Sequence, residues 1–189
     1  MTSPAAPAVP AAPVLPGQVS PPQFAVSDLL PGAITGVDVV ALPVLPGGAD
    51  DGVLLGPGAA ELGDELGLDL LGVAEVHGLT GRVGDCAAVP VPAGSANNPE
   101  LRLVLLVGVG DARPIDLRRA GATLARATVD RAAVATSLPL VAPAAAGDGS
   151  GEGALEAFVV GMMLGGFVFH WRSQGPEHQP GGRRGGGAA

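Results

Sequence analysis

The stretch LRLVLLV, residues 101–107, decides the fold, because it is almost continuously apolar and is followed at once by Gly108-Val109-Gly110. A run of this kind predicts a central strand that is buried on both faces, as in a parallel sheet with helices on each side. On both sides of this stretch, strand-like runs alternate with helix-like periodicity in a chain of 189 residues. We therefore expect a three-layer α/β domain.

Six further elements follow from apolar periodicity outward from this strand. Leu62, Leu66 and Leu70 recur at intervals of four and indicate one face of an amphipathic helix. The order β-α-β-β-α-β-α favours a largely parallel sheet with flanking helices. In chain order the predicted elements are strand 37–45, helix 59–71, strand 86–91, strand 101–107, helix 116–130 with Asp116 as its N-cap, strand 132–138 and helix 155–167.

Composition separates the folded unit from two tails. Apolar residues make up 47% of the chain, enough for a core, whereas Gly (31) and Pro (19) are unusually frequent. Residues 1–32 form an Ala/Pro-rich arm and residues 174–189 a Gly/Arg-rich tail, and we predict both to be disordered because neither carries an apolar pattern. The predicted domain therefore covers residues 33–173.

The net charge, the length of the apolar runs and the cysteine count limit the partners and the cellular location that we expect. A net charge of −8 disfavours binding to nucleic acid or to an anionic membrane surface. The apolar run 157–169 has 13 residues, too few to span a bilayer, and no basic residue precedes Arg82, so no signal peptide is indicated. The single cysteine, Cys86, excludes an intrachain disulfide and suits a cytoplasmic location.

A strand that ends in G-x-G resembles the phosphate-binding turn of a dinucleotide fold. The third glycine of that motif would fall at position 113, which is Arg113, and Pro114 follows it. No acidic residue follows a second strand at the expected distance. We therefore favour a simple glycine turn that leaves a buried strand.

Metal-binding and nucleophilic patterns are weak. His77, His170 and His178 match no zinc spacing, and the turn Asp50-Asp51 lacks the ordered oxygen ligands of a calcium loop. Cys86 and His77 could in principle form a nucleophile pair, although a small buried cysteine in a strand is favoured. Four arginines on or just after the second long helix are interpreted as a solvated face or a subunit contact: Arg118, Arg119, Arg126 and Arg131.

Four stretches, taken in order, resemble the N-terminal domain of the leucyl aminopeptidase (cytosol aminopeptidase) family. They are GVDVVALPVLPGG (36–48), HGLTGRVGD (77–85), LRLVLLVGVGD (101–111) with IDLRRAGA (115–122), and ALEAFVVGMMLGGFVFHWRS (154–173). Three positions depart from the family pattern, because Val160 stands for Glu, Phe167 for Tyr and Asp111 for Lys.

The resemblance implies a macro-domain-like fold with a mixed, mostly parallel sheet. It also implies packing against a larger catalytic domain that holds two divalent metals, zinc or manganese, in a homohexamer that removes N-terminal residues from peptides. The family's metal and catalytic motifs require lysines, and this chain contains none. No catalytic, cofactor-binding or metal residue is therefore assigned here.

We expect a non-catalytic domain that is inactive alone and whose chain stops near the linker to the catalytic domain. Two alternatives stay open: a macro-like module that binds a nucleotide or ADP-ribose, and an assembly partner of a full-length aminopeptidase.

Overall fold

A computed structural model describes residues 22–48, 52–141 and 150–166. Most of both predicted tails therefore lies outside the described residues. Residues 22–30 are exposed and have no regular structure, and Pro31–Ala33 form a single 3-10 turn. The strands are β1 (Val39–Pro46), β2 (Val53–Leu55), β3 (Cys86–Pro90), β4 (Leu103–Gly108) and β5 (Val134–Thr136). The helices are α1 (Ala59–Leu66), α2 (Leu70–Val76), α3 (Pro114–Ala127) and α4 (Ser150–Gly165), and a 3-10 turn covers Leu138–Val141.

The five strands form one mixed sheet with β1 at its centre. β1 runs parallel to β4, from the pair Val39↔Leu103 to the pair Val44↔Gly108. On its other edge β1 pairs first with β5 in parallel and then, near its end, with β2 in antiparallel orientation. β3 lies antiparallel on the outer edge of β4. The parallel strands β5, β1 and β4 therefore lie side by side, with the antiparallel strand β3 beyond β4 and the antiparallel strand β2 beside the end of β1.

Helices cover both faces of this sheet, as the apolar run 101–107 predicted. Val40, Leu42 and Val44 of β1 point to the layer formed by α1 and α2. The alternating residues Val39 and Ala41 point to the layer formed by α3 and α4. All five side chains are fully buried, because successive residues of a strand face opposite sides of a sheet. The three-layer α/β fold with a mixed sheet is thus confirmed.

The predicted helix 59–71 is in fact two helices. Gly67 adopts a left-handed conformation with φ of 63°, which ends α1, and the Leu68 amide donates back to the Gly63 carbonyl at 2.9 Å. Asp69 then caps α2, because its carboxylate accepts from the Gly72 amide at 2.9 Å. The interruption turns the chain while Leu62 and Leu70 both stay in the core.

The start of α3 also differs from the prediction. Arg113 is the N-cap and Pro114 the first helical residue, so that Asp116 is the third residue of the helix, within its first turn, rather than its cap. Proline suits this first position because its fixed φ is helical and the missing N–H would have no intrahelical partner. The short strand β2 was not predicted, since three residues between glycine-rich turns carry no usable periodicity.

Candidate functional site

The carboxyl ends of β1 and β4 form the part of this fold where a ligand would be expected. After β1 the chain passes through β2 to the α1–α2 face, and after β4 it passes to the α3–α4 face. In open α/β sheets, ligands bind at such a switch point between neighbouring parallel strands. The turn Gly108–Gly110 lies here, between β4 and the loop 111–113 that leads into α3.

A crossing loop, residues 79–85, occupies this switch point. The Gly108 amide donates to the carbonyl of Asp85 at 2.9 Å, and the Gly110 amide donates to the carbonyl of Gly81 at 2.8 Å. The Val109 amide donates to the carbonyl of Val44 at 3.0 Å. A phosphate-binding turn needs such amides free to point at the anion. This turn uses all three within the protein, which fits the simple glycine turn.

The crossing loop is held in place by close backbone packing and by one carboxylate. Gly81 has φ of 73°, and a Cβ built there would lie 2.6 Å from the Leu45 carbonyl oxygen, so only glycine fits against β1. The amide and the hydroxyl of Thr80 both donate to one oxygen of Asp85, at 2.7 Å and 2.9 Å. The loop is thus closed on itself as well as on the sheet.

Arg113, which stands where a dinucleotide motif has its third glycine, faces a carboxylate. Its Nε donates to Asp116 Oδ2 at 2.7 Å, and its Nη2 lies 3.4 Å from Asp111 Oδ2. Asp116 is buried, and its hydrogen bond and charge raise the pKa of the Arg113 guanidinium above the ordinary value. The guanidinium is therefore already engaged by the protein's own carboxylates.

Cys86 and His77, which could in principle form a nucleophile pair, are not brought together in this fold. His77 is exposed at the end of α2, on one side of the sheet, whereas Cys86 alternates with the inward-facing Ala87 and so points to the other side. Cys86 is also exposed rather than buried as expected, because α3 and α4 do not cover the edge strand β3. Partial desolvation by its neighbours raises the pKa of the thiol, which lowers its nucleophilicity at neutral pH.

The other candidate residues do not form a site. His170, His178 and the turn Asp50-Asp51 lie outside the described residues. Within the described ranges, no group of three or more His, Cys, Asp or Glu side chains could hold a metal ion. The arginines Arg118, Arg119, Arg126 and Arg131 are exposed on or just after α3. No helix in the described part of the chain is long and apolar enough to cross a membrane.

A buried asparagine is the polar residue whose role the sequence did not reveal. Asn98 donates from Nδ2 to the Val37 carbonyl at 2.7 Å, and its Oδ1 accepts from the Gly36 amide at 3.3 Å. Its own amide donates to Ser95 Oγ at 3.0 Å. The turn before β4 is thereby tied to the start of β1. The sequence signal was only a run of turn-forming residues, and the partners Val37 and Gly36, just before β1, lie 61 and 62 residues away.

These features define a three-layer α/β domain whose switch point is closed by its own chain. A family model described as the N-terminal domain of the cytosol aminopeptidase family matches residues 42–172. The chain therefore belongs to the cytosol aminopeptidase family, and the matched region is the family's non-catalytic N-terminal domain. The resemblance read from the four sequence stretches is confirmed.

Solved structures extend the comparison at low identity. A leucine aminopeptidase mutant from tomato is 18% identical with a TM-score of 0.55, and the match covers 84% of this chain and 32% of that chain. The bottromycin maturation enzyme BotP is 24% identical with a TM-score of 0.46, over 76% of this chain and 26% of that chain. The first likeness supports a shared fold, and this chain spans at most about a third of either structure's length. No curated protein matched the sequence.

Proposed function

We propose that this chain serves as the N-terminal packing domain for a catalytic domain of the cytosol aminopeptidase type and has no peptidase activity of its own. The family match over residues 42–172 carries this proposal. The closed switch point supports it over a macro-like binding module, because the backbone amides that would hold a phosphate already donate to carbonyls of the crossing loop and of Val44 in β1. The alternative as a nucleotide or ADP-ribose binder is not favoured.

The two divalent metals implied by the family do not fit the residues of this chain. The resemblance places them on lysine, aspartate and glutamate motifs, and the chain has no lysine. The carboxylates in the described part of the chain are dispersed, so no metal cluster forms there. The hydrolytic chemistry is therefore assigned to the catalytic partner domain and not to any residue here.

The outer face of α4 offers an apolar surface for that partner. Val160, Met163 and Leu164 are exposed side by side on this helix, which packs its other face on α3 through Gly161 and Gly165. An exposed apolar strip on an otherwise well packed helix is typical of a surface that another domain covers. We assign this strip to the contact with the catalytic domain, within a family-type hexamer in the cytoplasm.

Two measurements test the proposal together. The chain alone, assayed on a leucyl anilide with added Mn²⁺ or Zn²⁺, should release no product. Added to a cytosol aminopeptidase from which the N-terminal domain has been removed, it should co-elute with that enzyme, and light scattering should report the mass of the assembly. The variant Met163→Glu with Leu164→Glu should lose co-elution. Metal-dependent hydrolysis by the chain alone would overturn the proposal.

A further inference from the structure

A groove beside β2 combines apolar walls with an acidic rim. It has a volume of about 740 Å³ and lies between β2, α1 and the start of α2. Leu54 and Leu71 line it with 55% and 42% of their surface exposed. Glu61, Asp64 and Asp69 line the same groove and are exposed. We call these five residues the acidic groove.

The charge of the whole α1–α2 layer has one sign. Between residues 59 and 76 there is no basic residue, and five carboxylates stand there: Glu61, Asp64, Glu65, Asp69 and Glu75. Like charges within one layer repel one another, and this repulsion is relieved when a cationic surface covers them. The acidic groove therefore favours an occupant that is both apolar and positively charged.

The opposite layer of the domain presents a surface of that kind. Ile115, Arg119 and Arg126 are exposed on α3 at intervals of four and seven, which places them on one face of the helix. Arg118 is exposed beside them. Within the described ranges, neither Arg119 nor Arg126 forms a salt bridge. We call Ile115, Arg119 and Arg126 the arginine ridge.

We propose that the arginine ridge of one copy of this chain docks into the acidic groove of a second copy. The two surfaces are complementary in polarity and in charge. Ile115 contacts the apolar walls formed by Leu54 and Leu71, and the guanidinium groups of the ridge contact the carboxylates of the rim. A helix that lies in an apolar groove with charges along its edges is a common mode of protein recognition. Charge complementarity of this sort fixes orientation and speeds association.

The position of the two surfaces dictates the symmetry of the contact. The acidic groove belongs to the α1–α2 layer and the arginine ridge to the α3–α4 layer, on opposite sides of the sheet. A contact between unlike surfaces is heterologous, so that each copy can bind one neighbour on each side and form a ring or an open chain. This contact joins copies of the domain without the catalytic domain and therefore goes beyond the proposed function.

Sedimentation velocity of the full chain tests the contact. We expect concentration-dependent association at low salt that is weakened by roughly tenfold or more at high salt, because the rim charges are exposed to screening. Arg119→Glu with Arg126→Glu, and separately Glu61→Arg with Asp64→Arg, should each abolish it. Arg82→Glu changes an exposed arginine on the crossing loop and should leave it unchanged. Circular dichroism checks that each variant is folded.

Mixing the two charge-reversed variants gives the sharpest outcome. Each variant alone pairs two surfaces of like charge, but a mixture restores two contacts. The native ridge of one variant meets the native groove of the other, and the two reversed surfaces meet each other. Mixed assemblies should therefore form where neither variant self-associates. A chain that stays monomeric at low salt and high concentration would overturn the inference. So would loss of association on deleting residues 174–189, which would identify the Arg-containing tail as the occupant. Neither result depends on binding to an aminopeptidase, so the two proposals fail separately.

Discussion

Gly161 of α4 lies directly against the backbone carbonyl of Arg118 of α3, with no room for a side chain between the two helices. A second glycine, Gly121 of α3, makes an equally close contact with α4, because a Cβ built there would lie 2.5 Å from the Phe158 carbonyl oxygen. Small residues on both helices therefore set their separation. This separation keeps Phe158 in the core and α4 in the same layer as α3.

Gly161→Ala should destabilise the domain despite the better helix propensity of alanine. The added methyl group must push α4 away from α3, and overpacking of this kind costs about 1–3 kcal/mol, which exceeds the ~1 kcal/mol that alanine contributes in a helix. The measurement is the free energy of unfolding in urea.

Gly153→Ala is the matched control on the same helix, since a Cβ at Gly153 meets nothing within 4 Å. This variant should be stabilised by about 0.5–1 kcal/mol. Equal effects of the two substitutions would mean that α3 and α4 are not in close backbone contact.

Asn98→Ala should cost about 2–3 kcal/mol, because it removes a buried amide and leaves the Val37 carbonyl without its donor. The neighbouring Asn97→Ala removes an exposed side chain and should change the free energy of unfolding by no more than about 0.5 kcal/mol. Hydrogen exchange of the Gly36 amide, which donates to Asn98 Oδ1, should be faster in Asn98→Ala only. Unchanged exchange there would contradict the tie between β1 and the turn before β4.

Glu65 makes stability depend on pH through one hydrogen bond. The Asn97 amide donates to Glu65 Oε1 at 2.9 Å and lowers the pKa of this carboxyl below its ordinary value. The contribution to stability is therefore fully present above the unfolded-state pKa of about 4.3 and is lost as the pH falls through the lower folded-state pKa. Because the side chain is partly open to solvent, which screens the charge, we expect no more than about 1 kcal/mol.

Urea unfolding at neutral and at acidic pH checks this dependence. Wild type should exceed Glu65→Gln in stability at neutral pH, and the difference should vanish at a pH below the folded-state pKa. Glu61→Gln removes the same charge from the same helix and serves as the control. A difference that grows as the pH falls would have the wrong sign for this mechanism.

The crossing loop should keep the switch point closed to nucleotides. Titration with ADP-ribose should give no thermal shift, because the amides of Gly108, Val109 and Gly110 donate within the protein. Saturable binding of ADP-ribose by the wild type would instead support the macro-like module.

The loop itself is tested by its stability. Asp85→Ala removes both hydrogen bonds from Thr80 and should lower the free energy of unfolding by about 1 kcal/mol. Thr80→Val removes one of these bonds and should lower it by less.

The interior of the sheet was predictable because local sequence alone specifies it. The run 101–107 places apolar side chains on both faces of its strand, so both faces must be buried. The spacing of Leu62 and Leu70 indicates a helix that packs on the sheet. The break at Gly67 was not predictable, because glycine is tolerated within helices and only the packing of both leucines requires the turn. Cys86 was predicted as buried because a strand pattern does not say which strand is left at an uncovered edge.

The sequence by itself determined the class of fold and the family. It also contains no lysine, which the family's metal motifs require, and so it places the metals outside this chain. Whether the G-x-G turn was open or closed was decided only by the tertiary structure. Two of its three amides donate to the carbonyls of Gly81 and Asp85, which a separate loop brings across the ends of β1 and β4. Local patterns carry no record of such long-range hydrogen bonds, because any residue supplies the same backbone carbonyl.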